Sequence, residues 1–227
     1  MGDDRSFRVG FVPGVTLTKW SRVWDERHPQ APLEIFHIDP AEPLLALHDR
    51  RADVVFARLP IDRTGLSVIP LYDEQPVVVV AKEHALARLD SCVLADLDGE
   101  ARLDLDSALD LPTAVEVIET GAGVAVMPQS LARLYGRKGV TARPVTDLPP
   151  TVVALVWPDD ATTDDVSDFI GVVRGRTANS SRDRRTDSPA PAPASKPDTK
   201  KSASASSRSR GRGPQRGRGR GGPRRRG

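Results

Sequence analysis

The stretch "ETGAGVAVMPQSLARLYG", residues 119–136, decides the fold class of this chain. A short apolar segment lies between two helix-like runs, and each run ends at a glycine. An apolar segment this short is typical of a strand buried on both faces in an α/β layer, where a polar side chain would lose its water without compensation. We therefore predict a buried central strand at 123–127, between helices at 113–120 and 129–135.

Strand-like and helix-like patterns alternate over the rest of residues 7–174. A helix is predicted from an N-cap at Asp39, with Pro40 in its first position, to about Arg51. Runs of Val and Ile, rather than clean alternation, favour a parallel sheet covered on both faces. The remaining predicted elements are helices near 17–28 and 163–174 and strands at 7–12, 33–38, 52–60, 66–71, 76–81, 140–145 and 151–157.

Charge divides the chain into an acidic body and a basic tail. Residues 1–174 hold 17 Lys/Arg and 28 Asp/Glu, a net charge of −11, whereas residues 175–227 hold 16 Lys/Arg and 3 Asp/Glu, a net charge of +13. The second part has no aromatic residue, and alanine is its only aliphatic residue. Such a composition cannot bury enough apolar surface to offset the entropy of ordering. We predict that 175–227 is a disordered Ser/Pro/Arg/Gly-rich tail.

Several classes of protein are disfavoured by the sequence. A single cysteine, Cys92, gives neither an internal disulfide nor a CxxC metal pair. The first residues lack the apolar core of a signal peptide, and the longest aliphatic run is too short to span a bilayer. We therefore expect a cytoplasmic protein without membrane contact. No G-x-S-x-G elbow or HExxH motif occurs. We therefore expect that the protein is not an enzyme and binds neither a cofactor nor a metal. The four histidines are better explained as packing or surface residues: His28, His37, His48 and His84.

Eight segments together carry a family resemblance: "FRVGFVPG", "WDERHPQAPLEI", "LHDRRADVVFARLP", "LSVIPLYDEQPVVVVAKEHALA", "LADLDGE", "ETGAGVAVMPQSLARL", "VTARPVTD" and "VALVWPDD". In this order they resemble the effector-sensing domain of LysR-type bacterial transcriptional regulators, which is similar to periplasmic solute-binding proteins. The resemblance starts at residue 7, so the family's N-terminal winged helix-turn-helix is not expected here. It implies an α/β, two-lobed periplasmic-binding-protein-like (type 2) domain with a small-molecule effector in the cleft between the lobes.

The resemblance also implies where the lobes lie. The chain would cross between them at 79–82 and 155–158, so that lobe one comprises 7–80 and 159–174 and lobe two comprises 83–154. The second lobe is shortened, because eight residues from Asp106 to Thr113 replace a strand–helix–strand segment that usually supplies one wall of the cleft.

Six residues are candidates for effector binding. Thr16 and Thr18 open the first helix, where hydroxyl and backbone N–H groups can bind a carboxylate; alternatively, Thr16 is only an N-cap. Arg58 and Pro60 follow a strand at the cleft edge, and a guanidinium can bind a carboxylate through two hydrogen bonds. A solvated or structurally paired Arg58 is an equal alternative. The last two candidates are Gly121 and Gly123, which permit close backbone approach but also suit a helix C-cap and a strand entry.

The basic tail repeats Arg-Gly. Arginine-glycine segments follow phosphate backbones and stack on bases with little sequence preference, so we predict non-specific contact with RNA or DNA. Self-association, another acidic partner, and a solvated tail that aids solubility or folds back on the acidic body are the alternatives. The arginines concerned are Arg208, Arg210, Arg212, Arg216, Arg218, Arg220, Arg224, Arg225 and Arg226.

Taken together, these features favour a non-enzymatic regulatory protein that binds a small, carboxylate-bearing metabolite. A second hypothesis is an interaction module. Domains of the resembling family pair through a first-lobe helix and strand, so residues 17–38 would form a homodimer or join a related full-length regulator. A third hypothesis is a decayed paralogue without ligand binding.

Overall fold

The structure is a computed structural model that describes residues 6–105 and 110–175. It contains five α-helices, namely α1 (Thr18–Arg27), α2 (Leu45–His48), α3 (Leu111–Glu119), α4 (Gln129–Leu134) and α5 (Asp164–Val173). The strands of the described residues are β1 (Phe7–Phe11), β2 (Leu33–His37), β3 (Val54–Arg58), β4 (Leu66–Glu74), β5 (Pro76–Ala81), β6 (Ala125–Pro128), β7 (Val140–Pro144) and β8 (Thr151–Pro158). Short 3-10 turns at Ala85–Arg88, Leu94–Leu97 and Asp159–Ala161 complete the fold.

The first sheet has five strands in the order β2-β1-β3-β8-β4. The predicted parallel arrangement is right for β2, β1 and β3 but wrong for the rest, because β8 runs antiparallel to both of its neighbours. The reason is the path of the chain. It leaves this sheet at the end of β4 and returns at the start of β8, beside the place where it left, so the two strands run in opposite directions.

Aromatic side chains form the centre of the first lobe's core. The ring of Trp24 on α1 is fully buried; it stacks on Phe7 at 5.0 Å between centroids and meets Phe169 of α5 edge-on at 5.6 Å. The indole Nε1 of Trp24 donates a hydrogen bond to the carbonyl of Ala31 at 2.8 Å, so its polar atom is satisfied. The helices predicted near 17–28 and 163–174 are present as α1 and α5, and the Thr163 hydroxyl caps α5 by accepting a hydrogen bond from the Val166 N–H at 3.2 Å.

The second sheet has three antiparallel strands in the order β6-β5-β7. The segment predicted as a buried central strand is therefore an edge strand, β6. The central position belongs to β5, whose residues are buried without exception, while burial alternates along β6. One edge of the β6 segment is partly covered, because Val124 forms a parallel bridge with Arg102.

The lobe boundaries predicted at 79–82 and 155–158 are wrong. The chain passes from the first sheet to the second between Glu74 and Pro76, because all of β5 pairs with β6 and β7. It returns between β7 and β8, because β8 pairs with β3 and β4 along its length. Strand pairing thus assigns 7–74 and 151–158 to lobe one and 76–144 to lobe two, and α5 joins lobe one because its buried residues pack into the first core.

The helix predicted to begin after Asp39 is much shorter than expected. The Asp39 carboxylate accepts a hydrogen bond from the Ala41 N–H at 2.9 Å, which closes a local turn instead of a helix cap. Pro43 explains the delay, because a proline disfavours helical backbone angles in the residue before it. The helix α2 starts only at Leu45. The predicted tail, 175–227, lies outside the described residues apart from Gly175.

Candidate functional site

The carboxyl ends of β1 and β3 form the candidate site. Strand β1 lies between β2 and β3. The chain continues from β1 to β2 on one side and from β3 to β4 on the other, so the two connections leave this edge of the sheet in opposite directions. Ligands of open α/β sheets bind outside the carboxyl ends of the strands at such a point. The turn Pro13–Gly14 follows β1 here, and Arg58 is the last residue of β3.

Arg58 forms an ion pair with Glu74 at the end of β4. Its Nε donates to Glu74 Oε2 at 2.7 Å, and its Nη2 contacts Oε1 at 3.4 Å. The Glu74 side chain is only 5% exposed, and Glu74 is the one buried charged residue among residues 6–105 and 110–175. Of the two alternatives stated for Arg58, the structurally paired arginine is therefore present in this structure.

Arg58 also joins the two lobes. Its Nη2 donates a hydrogen bond to the hydroxyl of Ser130 in α4, at 3.0 Å. Gly14 lies against this contact: a Cβ atom there would be 2.7 Å from Ser130 Oγ and 3.0 Å from Arg58 Nη2, and the backbone φ is +87°. Only glycine fits this place, because it has no Cβ and tolerates positive φ. The turn after β1, the ends of β3 and β4, and the start of α4 thus converge on one guanidinium.

Tyr72 extends this cluster on the same face of the sheet. Val153 of β8 pairs with Arg58 of β3 on one side and with Tyr72 of β4 on the other. Directly paired residues have their side chains on the same face of a sheet, so Arg58 and Tyr72 share a face. Burial raises the pKa of the Tyr72 hydroxyl, and the neighbouring Glu74 carboxylate raises it further. The ring is still 38% exposed. The cluster therefore offers hydrogen-bond donors, with its one positive charge balanced by Glu74.

Thr16 and Thr18 are exposed at the start of α1, two and four residues after Gly14. The N-cap position is Leu17, which has no side-chain cap, so the alternative that Thr16 is an N-cap is wrong. Pro60 lies in a groove of about 340 Å³ between the loop after β2 and the loop after β3, lined by Ala41, Glu42, Pro43, Leu44, Leu45, His48, Pro60, Ile61 and Asp62.

Gly121 and Gly123 lie in lobe two. Gly121 follows the C-cap of α3 with φ +80° and open space around it, and it lines a second groove of about 560 Å³ with Lys82 and His84. Gly123 is buried, and a Cβ atom there would lie 2.6 Å from the carbonyl oxygen of Ala101, so no side chain fits. The hydrogen bonds of Arg58 go to Glu74 and, in lobe two, to Ser130, and not to either glycine.

Three residues of this cluster were missed in the sequence: Glu74, Tyr72 and Ser130. Glu74 lies beside Asp73, two residues before the apolar strand β5, and an acidic residue at such a place is only a weak signal of a buried partner. Ser130 resembles any polar residue in the first turn of a helix. The spacing of positions 58, 74 and 130 carries no information, because only the folded chain brings them together.

Cys92 is buried in lobe two, at 2% exposure. Burial raises the pKa of its thiol above the ordinary value, and Asp96 adds to this rise. No group of three or more metal-ligating side chains occurs within the described ranges. The longest helices there, α1 and α5, have ten residues each, and none qualifies as a membrane span.

Comparisons with known proteins agree with this architecture. Residues 2–109 match the family model of the LysR substrate binding domain. The chain is 33% identical over 152 residues to a probable hydrogen peroxide-inducible genes activator of Mycobacterium avium, covering 54% of this chain and 49% of that protein. It is 22% identical over 207 residues to the Hca operon transcriptional activator HcaR of Escherichia coli, covering 78% of this chain and 70% of HcaR. The chain thus spans about half the length of the first of these relatives.

Solved structures show the same fold. The effector binding domain of BenM with its effector benzoate superimposes with a TM-score of 0.65 at 18% identity, covering 78% of this chain and 94% of that one. A C206 mutant of Corynebacterium glutamicum OxyR gives a TM-score of 0.62 at 22% identity, covering 76% of this chain and 64% of that one. The predicted fold class is confirmed: the chain has the fold of these effector-binding domains, and residues 2–109 match the LysR substrate binding domain.

Proposed function

We propose that this protein is a non-enzymatic regulatory module that senses a small carboxylate-bearing metabolite between its lobes. One observation carries the proposal: Arg58, at the carboxyl end of β3, has a hydrogen bond to Ser130 of the other lobe. A group in this position responds both to an anion in the cleft and to the relative position of the lobes. The relatives named above are described as transcription activators, which supports a regulatory role.

Thr16 and Thr18 complete the proposed site from the β1–α1 side. Both residues are exposed, two and four positions after Gly14, where an added Cβ atom would lie 3.0 Å from Arg58 Nη2. An aromatic carboxylate is a suitable first probe, because the structurally similar BenM domain has benzoate as its effector. Pro60, Gly121 and Gly123 are proposed as outer contacts only.

A thiol-based peroxide sensor is the less favourable function for this chain, although the Mycobacterium avium relative is named as a probable activator of hydrogen peroxide-inducible genes. The thiolate is the reactive form of cysteine. Cys92 is buried and its pKa is raised, so little thiolate forms at neutral pH and access to it is restricted. We therefore propose ligand binding rather than cysteine oxidation as the sensing event.

Thermal shift against monocarboxylates, with benzamide as the neutral analogue of benzoate, tests the proposal. A ligand at a hundredfold its Kd stabilises the folded state by about 2.7 kcal/mol. For a domain of this size that corresponds to an increase in Tm of roughly 5 to 10 °C. A Thr16→Val/Thr18→Val variant should lose most of the shift while its ligand-free Tm stays the same. Equal shifts with the carboxylate and its neutral analogue would contradict the assignment to Arg58 and the two threonines.

The basic tail is proposed to contact RNA or DNA without sequence preference. Its support is compositional: nine arginines lie in the last twenty residues, 208–227, where the sequence has no Asp or Glu. With four phosphate contacts, the affinity for duplex DNA would fall roughly a hundredfold between 50 and 200 mM salt. A full-length variant with these nine arginines replaced by glutamine should lose both the binding and the salt dependence. Unchanged gel-shift affinity of that variant would remove the tail from the proposal.

Pairing with a second copy, or with a related regulator, is a second candidate function. It is favoured by β2, which is an edge strand of the first sheet and exposes Ile35, at 37%. Edge strands with exposed apolar side chains readily pair with another chain. Light scattering should show a dimer that Ile35→Lys disrupts, and a monomer at all concentrations would exclude the homodimer.

A further inference from the structure

The hydrogen-bonding capacity of Arg58 is only partly used. A guanidinium has five N–H donors. Nε and Nη2 donate to Glu74, and Nη2 also donates to Ser130. Among the described residues no partner is present for Nη1, and the side chain is 15% exposed. The end of the guanidinium formed by Nη1 and Nη2 is therefore the edge that an incoming anion can bind.

A carboxylate binds a guanidinium edge through two parallel hydrogen bonds. On the edge formed by Nη1 and Nη2, one of these bonds would use the N–H that now points at Ser130 Oγ, 3.0 Å away. The Ser130 hydroxyl and the ligand therefore compete for one donor. Glu74 competes in a different way, because its buried negative charge lies 2.7 Å from Nε and repels a second anion.

We propose that Glu74 and Ser130 set the affinity of Arg58 for an anionic ligand: Glu74 by its opposing charge, and Ser130 by occupying the ligand's hydrogen-bonding position when the cleft is empty. The inference rests on the proposed function, because it assumes that the ligand's anionic group binds Arg58. It also limits the ligand class. With its charge largely balanced by Glu74, Arg58 binds a single carboxylate, and a dicarboxylate gains nothing from a second charge at this place.

Affinity for benzoate, measured by titration calorimetry on the full chain, tests the proposal. A neighbouring positive charge shifts the pKa of a carboxylate by about one to three units, and a like charge acts in the opposite direction; we take the same size for Glu74, which corresponds to roughly tenfold or more in affinity. Glu74→Gln is therefore expected to bind benzoate at least about tenfold more tightly than wild type. The matched control is Glu116→Gln, which removes the same charge from an exposed pair with Arg137. This control should leave the benzoate affinity unchanged. A purely structural role of Glu74 would not increase affinity.

Ser130→Ala provides a second test that does not leave a buried charge unpaired. Loss of one competing hydrogen bond is worth about 1 kcal/mol, so the affinity should rise roughly fivefold. The matched control is Ser21→Ala, whose hydroxyl bonds only the Thr18 carbonyl within the first helical turn. If Glu74→Gln does not fold, judged by its circular dichroism, the result with Ser130→Ala decides.

The outcomes separate this inference from the proposed function. If wild type binds benzoate but neither variant binds it more tightly, the inference is wrong and the proposed function stands. If wild type shows no binding but either variant does, the roles of Glu74 and Ser130 are supported and the wild-type protein is not a sensor of this carboxylate. If no form binds benzoate or another monocarboxylate, both proposals are refuted.

Discussion

Replacing Arg58 by alanine should destabilise the protein far more than breaking any surface ion pair. The substitution removes both hydrogen bonds to Glu74 and leaves a carboxylate buried, with 5% of its side chain exposed, without its cation. Removal of one partner from a buried pair costs about 3–5 kcal/mol, because the remaining charge is not compensated. With a urea m-value of about 2 kcal/mol/M, the unfolding midpoint should fall by roughly 2 M.

The matched control is Arg137→Ala in lobe two. Arg137 contacts Glu116 at 2.7 Å, a distance equal to that of the Arg58–Glu74 pair, but these two side chains are 45% and 53% exposed. Such a pair contributes about 0–1 kcal/mol in water. The comparison therefore varies burial while the separation stays constant.

Urea unfolding of the full chain, followed by circular dichroism, measures both effects. The double variant Arg58→Met/Glu74→Gln should recover most of the loss, because it removes the uncompensated charge as well. The reasoning fails if Arg58→Ala costs no more than Arg137→Ala, or if the double variant is as unstable as the single one.

Three further predictions concern lobe two. Gly123→Ala should lower the free energy of unfolding by about 1–3 kcal/mol, because it forces a Cβ atom against a backbone carbonyl. Gly121→Asn should leave the Tm nearly unchanged in a thermal melt, because the space around Gly121 is open and asparagine tolerates its positive φ. Hydrogen bonds from the Thr113 N–H and hydroxyl hold the pKa of the Asp110 carboxyl below its ordinary value of 3.8. The ionised Asp110 carboxylate thus stabilises the folded state above pH 3.8, and this stabilisation is lost as the pH falls through the lowered pKa. Asp110→Ala should therefore lower the Tm at pH 7 but not at the acid end of a pH series. The Cys92 thiol, with its raised pKa, should react with iodoacetamide at pH 8 only after urea unfolding, and rapid labelling of the native protein would show that the thiol is accessible.

Local patterns were sufficient to predict most elements of the fold. The helices predicted near 17–28 and 163–174 begin within one residue of the observed starts of α1 and α5. These features depend on a few neighbouring residues, and their physics acts at short range. The α/β class and the family resemblance follow from the order of such elements along the chain.

Strand direction and sheet membership were not predictable in the same way. The apolar run before α4 was expected to be a central strand, yet β5, with its longer run of valines, takes that position. A strand's own residues show that it is buried but not which strands lie beside it. Pairing is settled by contacts between segments far apart in the sequence, such as β4 and β8.

The sequence by itself determined that this chain has a layered α/β body with a net charge of −11 and a basic end with a net charge of +13. Only the tertiary structure decided that Arg58 is paired with Glu74 and bridged to Ser130. The physical reason is that burial and hydrogen bonding depend on three-dimensional distance. Positions 58, 74 and 130 become neighbours only when the two sheets have formed and the chain has crossed between them.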